Sequence, residues 1–167
     1  MLVALGETDR AESLSRELLQ MNDRDARSDH FAYHFLADCA LLRGDCAEAE
    51  KRYRESLRAA LPLGDFLETS FEVQGVAMSL AGLGVGDRAL HLAAAAKAEW
   101  ERIGADVHMR FWDELMDRYL GGARRALGGE AADHAWANGK LIPFDEAVAI
   151  ALESRGGIGA AGEPESG

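Results

Sequence analysis

Residues 30–61 read HFAYHFLADCALLRGDCAEAEKRYRESLRAAL, two apolar-periodic segments divided by Arg43, Gly44 and Asp45. No other stretch limits the fold so strongly. In the first segment Phe31, Phe35 and Cys39 follow one another at i+4, and Tyr33, Leu36, Ala37 and Ala40 fill the adjoining stripe. Such spacing predicts a helix with a wide buried face. Gly44 suits the C-terminus of that helix because it accepts positive φ without a Cβ penalty, and Asp45 with Glu48 gives a capping-box-like start to the next. The second segment sets Ala49, Tyr53, Ser56 and Leu57 on one side, so the two form a helical hairpin. One hairpin cannot bury both its faces, and neighbours are implied.

Those neighbours are visible on either side. Residues 1–22 look like the second half of the same unit: Gly6 takes the turn, Asp9 with Glu12 forms a cap, and Ala11 stands where Ala49 does, 49 − 11 = 38 residues apart. Leu14, Leu18 and Met21 continue a buried stripe. Beyond the break at residues 61–64, Asp65 with Glu68 opens another unit, with Val73, Val76, Ala77 and Leu80 in its first helix and Ala89 after the turn around Gly84 and Gly86. Here the spacing is 89 − 49 = 40 residues.

Counted from Gly44, residues Tyr33, Leu36, Ala37, Ala40, Ala49, Tyr53 and Ser56 occupy the large and small positions of a tetratricopeptide repeat, which this stretch resembles. The period near 40 exceeds the usual ~34 residues of that repeat. The resemblance implies an all-α, tetratricopeptide-like α-solenoid: a half-repeat at 1–22, repeats at 28–61 and 65–102, and a helical C-terminal cap at 106–153. Within the cap, 107–127 is the next helical segment, with a kink or end at Gly121 and Gly122. A short helix follows at 130–136, with Asn138 and Gly139 as a turn, and then a last helix behind Pro143. Residues 154–167, rich in glycine and poor in bulky residues, are expected to be a disordered tail.

The order of the closing segment, from the Gly128 and Gly129 pair through Trp136, Asn138 and Lys140 to residues 145–152, is similar to that of large actinobacterial-type regulators. These combine an ATP-binding module, a repeat region and often a LuxR-type or related DNA-binding domain, or a nucleotide-cyclase domain. The resemblance implies that the chain is the C-terminal part of a longer signalling or transcription-regulatory protein, in which such regions sense an inducer or partner and restrain the ATP-binding module.

Composition narrows the partners. A formal net charge of −11 disfavours a nucleic-acid backbone or an anionic membrane surface, since both are met with clustered Lys and Arg. No apolar run reaches the roughly 18 residues of a membrane span. The expected location is the cytoplasm, and Cys39 and Cys46, the only cysteines, read as reduced core residues.

Candidate chemistry is sparse. His30, His34 and Asp38 share a helix face at i, i+4 and i+8, yet no further ligand completes a metal site. The glycines at 82, 84 and 86 lack the strand and the Gly-Lys-Ser/Thr ending of phosphate loops. Asp113 and Asp117 read as a solvated face, and Glu48 with Arg52 and Glu50 with Arg54 as surface pairs. No catalytic residue, cofactor or metal is expected.

Repeat alignment instead assigns Phe31, His34, Asp38, Phe71, Gln74 and Met78 to a groove for a protein or peptide segment. Leu2, Leu5, Trp100, Phe111 and Trp112 are expected to form a surface for self-association or for other domains of a longer parent chain, with a homodimer as one outcome. A small-ligand sensor is the alternative, and an enclosed apolar pocket near Trp100 and Trp112 would mark it.

Overall fold

The computed structural model describes residues 3–153, and among them every regular element is helical. The principal helices are α1 (Thr8–Gln20), α2 (Ala26–Arg43), α3 (Cys46–Ala60), α4 (Phe66–Gly82) and α5 (Gly86–Ile103). They are followed by α6 (Arg110–Met116), a π-helical turn (Asp117–Gly121), α7 (Gly122–Leu127), α8 (Gly129–Gly139) and α9 (Phe144–Leu152). Leu2 and the expected tail at 154–167 lie outside the described residues.

Local signals fix most boundaries. Gly44 ends α2 at φ +81°, and Asp45 accepts the backbone N–H of Glu48 at 3.2 Å to start α3. Asp65 does the same for α4, accepting from Leu67 and Glu68 at 3.0 and 3.1 Å. Asp9 does not cap as expected: α1 begins one residue before it, placing its carboxylate inside the first turn.

Successive helices pack side by side from α1 to α5, and α8 then lies along α5. Small residues set how closely they approach. Gly75 of α4 faces the ring of Tyr53, leaving no room for a Cβ, and α5 turns its stripe Ala89, Ala93 and Ala96 into the core. Gly139 was expected in a turn, yet α8 runs through it. Any Cβ there would strike the carbonyl oxygen of His91, so its bare backbone is what seats α8 on α5.

Gly121 and Gly122 likewise do not end their helix. A π-helical turn at Asp117–Gly121 absorbs the misfit, α7 continues to Leu127, and the break falls at Gly128 with φ +85°. The last helix reaches back over α3, α4 and α5. Arg54 Nε donates to the Ala151 carbonyl at 2.8 Å and its Nη2 to that of Glu153, while Arg88 donates to the Ile150 carbonyl. Carbonyls at a helix C-terminus lack a full set of intrahelical donors, and here cations from other helices meet them. Arg54 and Glu50, expected on the surface, are therefore buried beneath α9, paired at 2.9 Å.

Candidate functional site

The face shared by α2 and α4 was the expected binding groove. From Gly104 the chain runs through 105–109 without regular structure and returns as α6, laying Trp112 onto that face. The Trp112 side chain is 1% exposed. Its indole N–H donates to Gln74 Oε1 at 2.9 Å, and its ring meets those of His34, Phe71 and Tyr53 at centroid distances of 5.9, 5.4 and 6.3 Å. The groove is filled by the chain's own segment.

That arrangement corrects the groove assignment. Asp38, Phe71, Gln74 and Met78 are buried, with Met78 fully enclosed, because α6 and the core of α5 cover the surface the repeat pattern leaves open. His34 is nearly covered. Phe31 is half-buried and faces a different side, toward α1. Trp100 and Trp112 are core residues rather than an outer surface, and Phe111 is half-buried between two apolar clusters, joining Val3, Ala11 and Cys39 to the main core. Leu5 is exposed as expected.

Beneath Trp112 lies a buried polar cluster. His34 Nδ1 donates to Glu72 Oε1 at 2.7 Å, and its Nε2 faces Asp38 Oδ2 at 3.5 Å. Tyr53 donates its O–H to Asp38 Oδ1 at 2.7 Å. His30 Nδ1 donates to Ser56 Oγ at 2.9 Å, since that hydroxyl gives its own proton to the His30 carbonyl, and His30 Nε2 faces Glu68 Oε2 at 3.3 Å. Burial alone would discharge His34, but Asp38 and Glu72 outweigh it and push its pKa up to about 10. Burial raises the Asp38 pKa in turn, and the hydrogen bond from His30 lowers that of Glu68.

Chemically this is a clamp: an imidazolium between two carboxylates, roofed by an indole. No substrate reaches Asp38 or Glu72, whose side chains are 1% and 0% exposed. Among the described residues no group of three or more His, Cys, Asp or Glu side chains could hold a metal ion. The sequence does not single out Glu72, and it marks Glu68, Tyr53 and Ser56 as cap and packing positions rather than as members of a polar cluster. The spacing between units does not reveal them: the repeat-equivalent alanines Ala49 and Ala89 stand 40 residues apart, whereas 68 − 30 = 38 and 72 − 34 = 38, so the acids are not at the positions equivalent to the histidines.

A second surface is open. Between α1 and α2 lies an apolar cavity of about 260 Å³ lined by Val3, Ala11, Leu14, Leu18, Phe31 and Phe35. The Phe31 and Phe35 rings stack at 6.2 Å, and Leu14 at its edge is 48% exposed. Both signs of charge stand nearby, as Glu12 pairs with Arg16 and with Arg43.

Among the described residues no helix is long and apolar enough to cross a membrane. Comparison with protein-family models, with curated proteins and with solved structures finds no match for this chain.

Proposed function

We propose that the chain is a non-catalytic, tetratricopeptide-like interaction module of a cytoplasmic bacterial signalling or regulatory protein, and that it docks through the flank between α1 and α2. The groove is already held by Trp112, so a partner segment has no place there without displacing α6. The flank carries the proposal: stacked Phe31 and Phe35, with Leu14 and Leu18, line an open apolar cavity between α1 and α2, and Leu14 at its edge is half-exposed. Exposed apolar surface of this kind, rimmed by charge, is characteristic of protein contacts.

Local charge favours a second copy as the occupant. α1 carries Asp9, Glu12 and Glu17 against Arg10 and Arg16, a balance of 2 − 3 = −1 on a chain of −11. Two such faces meet with both signs available and little repulsion, as a two-fold contact requires. The test is light scattering of the purified chain across a concentration series, beside Leu14→Glu. Self-association that grows with concentration and disappears in the variant is the expected result. A chain that stays monomeric at the highest concentration rules out docking of a second copy on this flank.

A further inference from the structure

A cavity of about 190 Å³ lies between α4, α5, α8 and the returning segment at 105–120, apart from both surfaces described above. Its walls are apolar, chiefly Trp100, Trp136, Val107, Met116 and Leu120. Gln74 lines it too, and this side chain is 97% buried by its 3% residual exposure. The Trp112 indole can only donate, so the hydrogen bond between them fixes which end of the amide faces Trp112: Oε1 accepts there. The hydrogen bond to Trp112 uses the amide oxygen, so on a side chain that lines the cavity the amide nitrogen is the group available to a ligand.

We infer that this cavity is a binding site for a small neutral molecule with a compact apolar body and a carbonyl oxygen, which the Gln74 amide N–H recognises. An apolar hollow with one amide donor on its wall is how a small-molecule site fixes orientation. Its size suits a fragment-sized ligand, since it is below the roughly 300 Å³ at which sites for drug-sized molecules begin.

Charge at the rim selects for neutrality. Lys97 is there, with Asp106 and Asp113, but His108 faces both acids, its Nε2 3.1 Å from Asp106 and its Nδ1 3.8 Å from Asp113. One lysine against two aspartates offers a carboxylate no net attraction. A cationic ligand would lose its hydration on apolar walls with no acid inside to receive it.

The inference stands independently of docking at the α1 flank. Its test is an NMR titration of the full chain that follows the three tryptophan indole N–H signals, with acetophenone as probe, ethylbenzene as the same shape without an acceptor, and benzoate as the charged analogue. Acetophenone is expected to shift Trp100 and Trp136 saturably. Ethylbenzene and benzoate should each bind at least about tenfold more weakly, because a site built around a donor rejects a ligand that cannot satisfy it.

Ala93→Leu, which fills the hollow from α5, should abolish the shifts while the spectrum stays dispersed. Met116→Phe, at the half-exposed edge, provides the same test if Ala93→Leu does not fold. Equal binding of ethylbenzene, tighter binding of benzoate, shifts that survive filling of the cavity, or no shift with acetophenone would each overturn the inference.

Discussion

Trp112 lies nearly parallel to His34, their rings 5.9 Å apart and their planes 20° from coplanar, although 112 − 34 = 78 residues separate them in the chain. The imidazole beneath the indole is the one that Asp38 and Glu72 hold in its charged form. A cation over the face of tryptophan gains about 0.5–2 kcal/mol beyond the burial of its ring. Roof and clamp therefore support one another: the carboxylates keep the cation, and the cation holds the indole.

Replacing the roof should expose this coupling. Trp112→Phe keeps an aromatic ring but leaves Gln74 Oε1 buried without its donor, and should cost about 1–3 kcal/mol in urea unfolding. Trp112→Ala should cost about 3–5 kcal/mol. In both variants amide exchange should accelerate through α6 before it does in α2 or α4; unchanged protection in α6 would mean that Trp112 does not hold that segment in place.

The same cluster gives stability a pH dependence of defined sign. The folded pKa of His34, about 10, lies above the ordinary 6.5, so the folded chain holds this proton more tightly. Its contribution is fully present below about pH 6.5 and is lost as pH rises toward 10. The unfolding free energy measured in urea should fall across that window by an amount on the order of a few kcal/mol, and His34→Gln should flatten the slope. Parallel slopes in the two proteins would assign the dependence to other groups, among them Cys39, whose thiol burial pushes up to about 11.

Gly139→Ala tests the seat of α8. A methyl group there meets the backbone of His91, which cannot swing aside as a side chain can. Despite the better helix propensity of alanine, worth about 1 kcal/mol, the variant should lose about 1–3 kcal/mol through overpacking. Gly129→Ala, at the start of the same helix where a Cβ meets nothing within 4 Å, should be neutral or stabilising by comparison.

Arg54→Met should release the end of α9. Its guanidinium meets two terminal carbonyls of that helix as well as Glu50. Removing it takes an ion-pair partner from a buried carboxylate together with both donors to the end of α9, and should cost about 3–5 kcal/mol. Amide exchange should rise first within Phe144–Leu152; a uniform rise across all helices would show instead that α9 does not open separately.

What was legible in the sequence is what neighbouring residues decide among themselves. Gly44, Asp45 and Asp65 act within one helical turn of their own positions, and the structure finds each in its expected capping role. The burial of Asp38 and Met78 depends on a roof that arrives from elsewhere in the chain, and helical periodicity can say that a face is apolar without saying what covers it. Glu50 and Arg54 show the same divide: spacing by four identifies the pair, while their burial depends on α9. Asn138 and Gly139 misled because a glycine that looks like a turn can equally be the point where two backbones touch.

The late position of Trp112 gives the chain a transient form during its synthesis. α4 is complete at Gly82, and 112 − 82 = 30 residues must still be translated before the indole exists. At ~5–20 residues per second, that is an interval of about 1.5–6 s. Until residue 112 has folded back, Asp38 and Glu72 lack the cover that the indole gives them. A chain that stops short of α6 is therefore expected to keep these carboxylates open to water, and completion of α6 is what seals them.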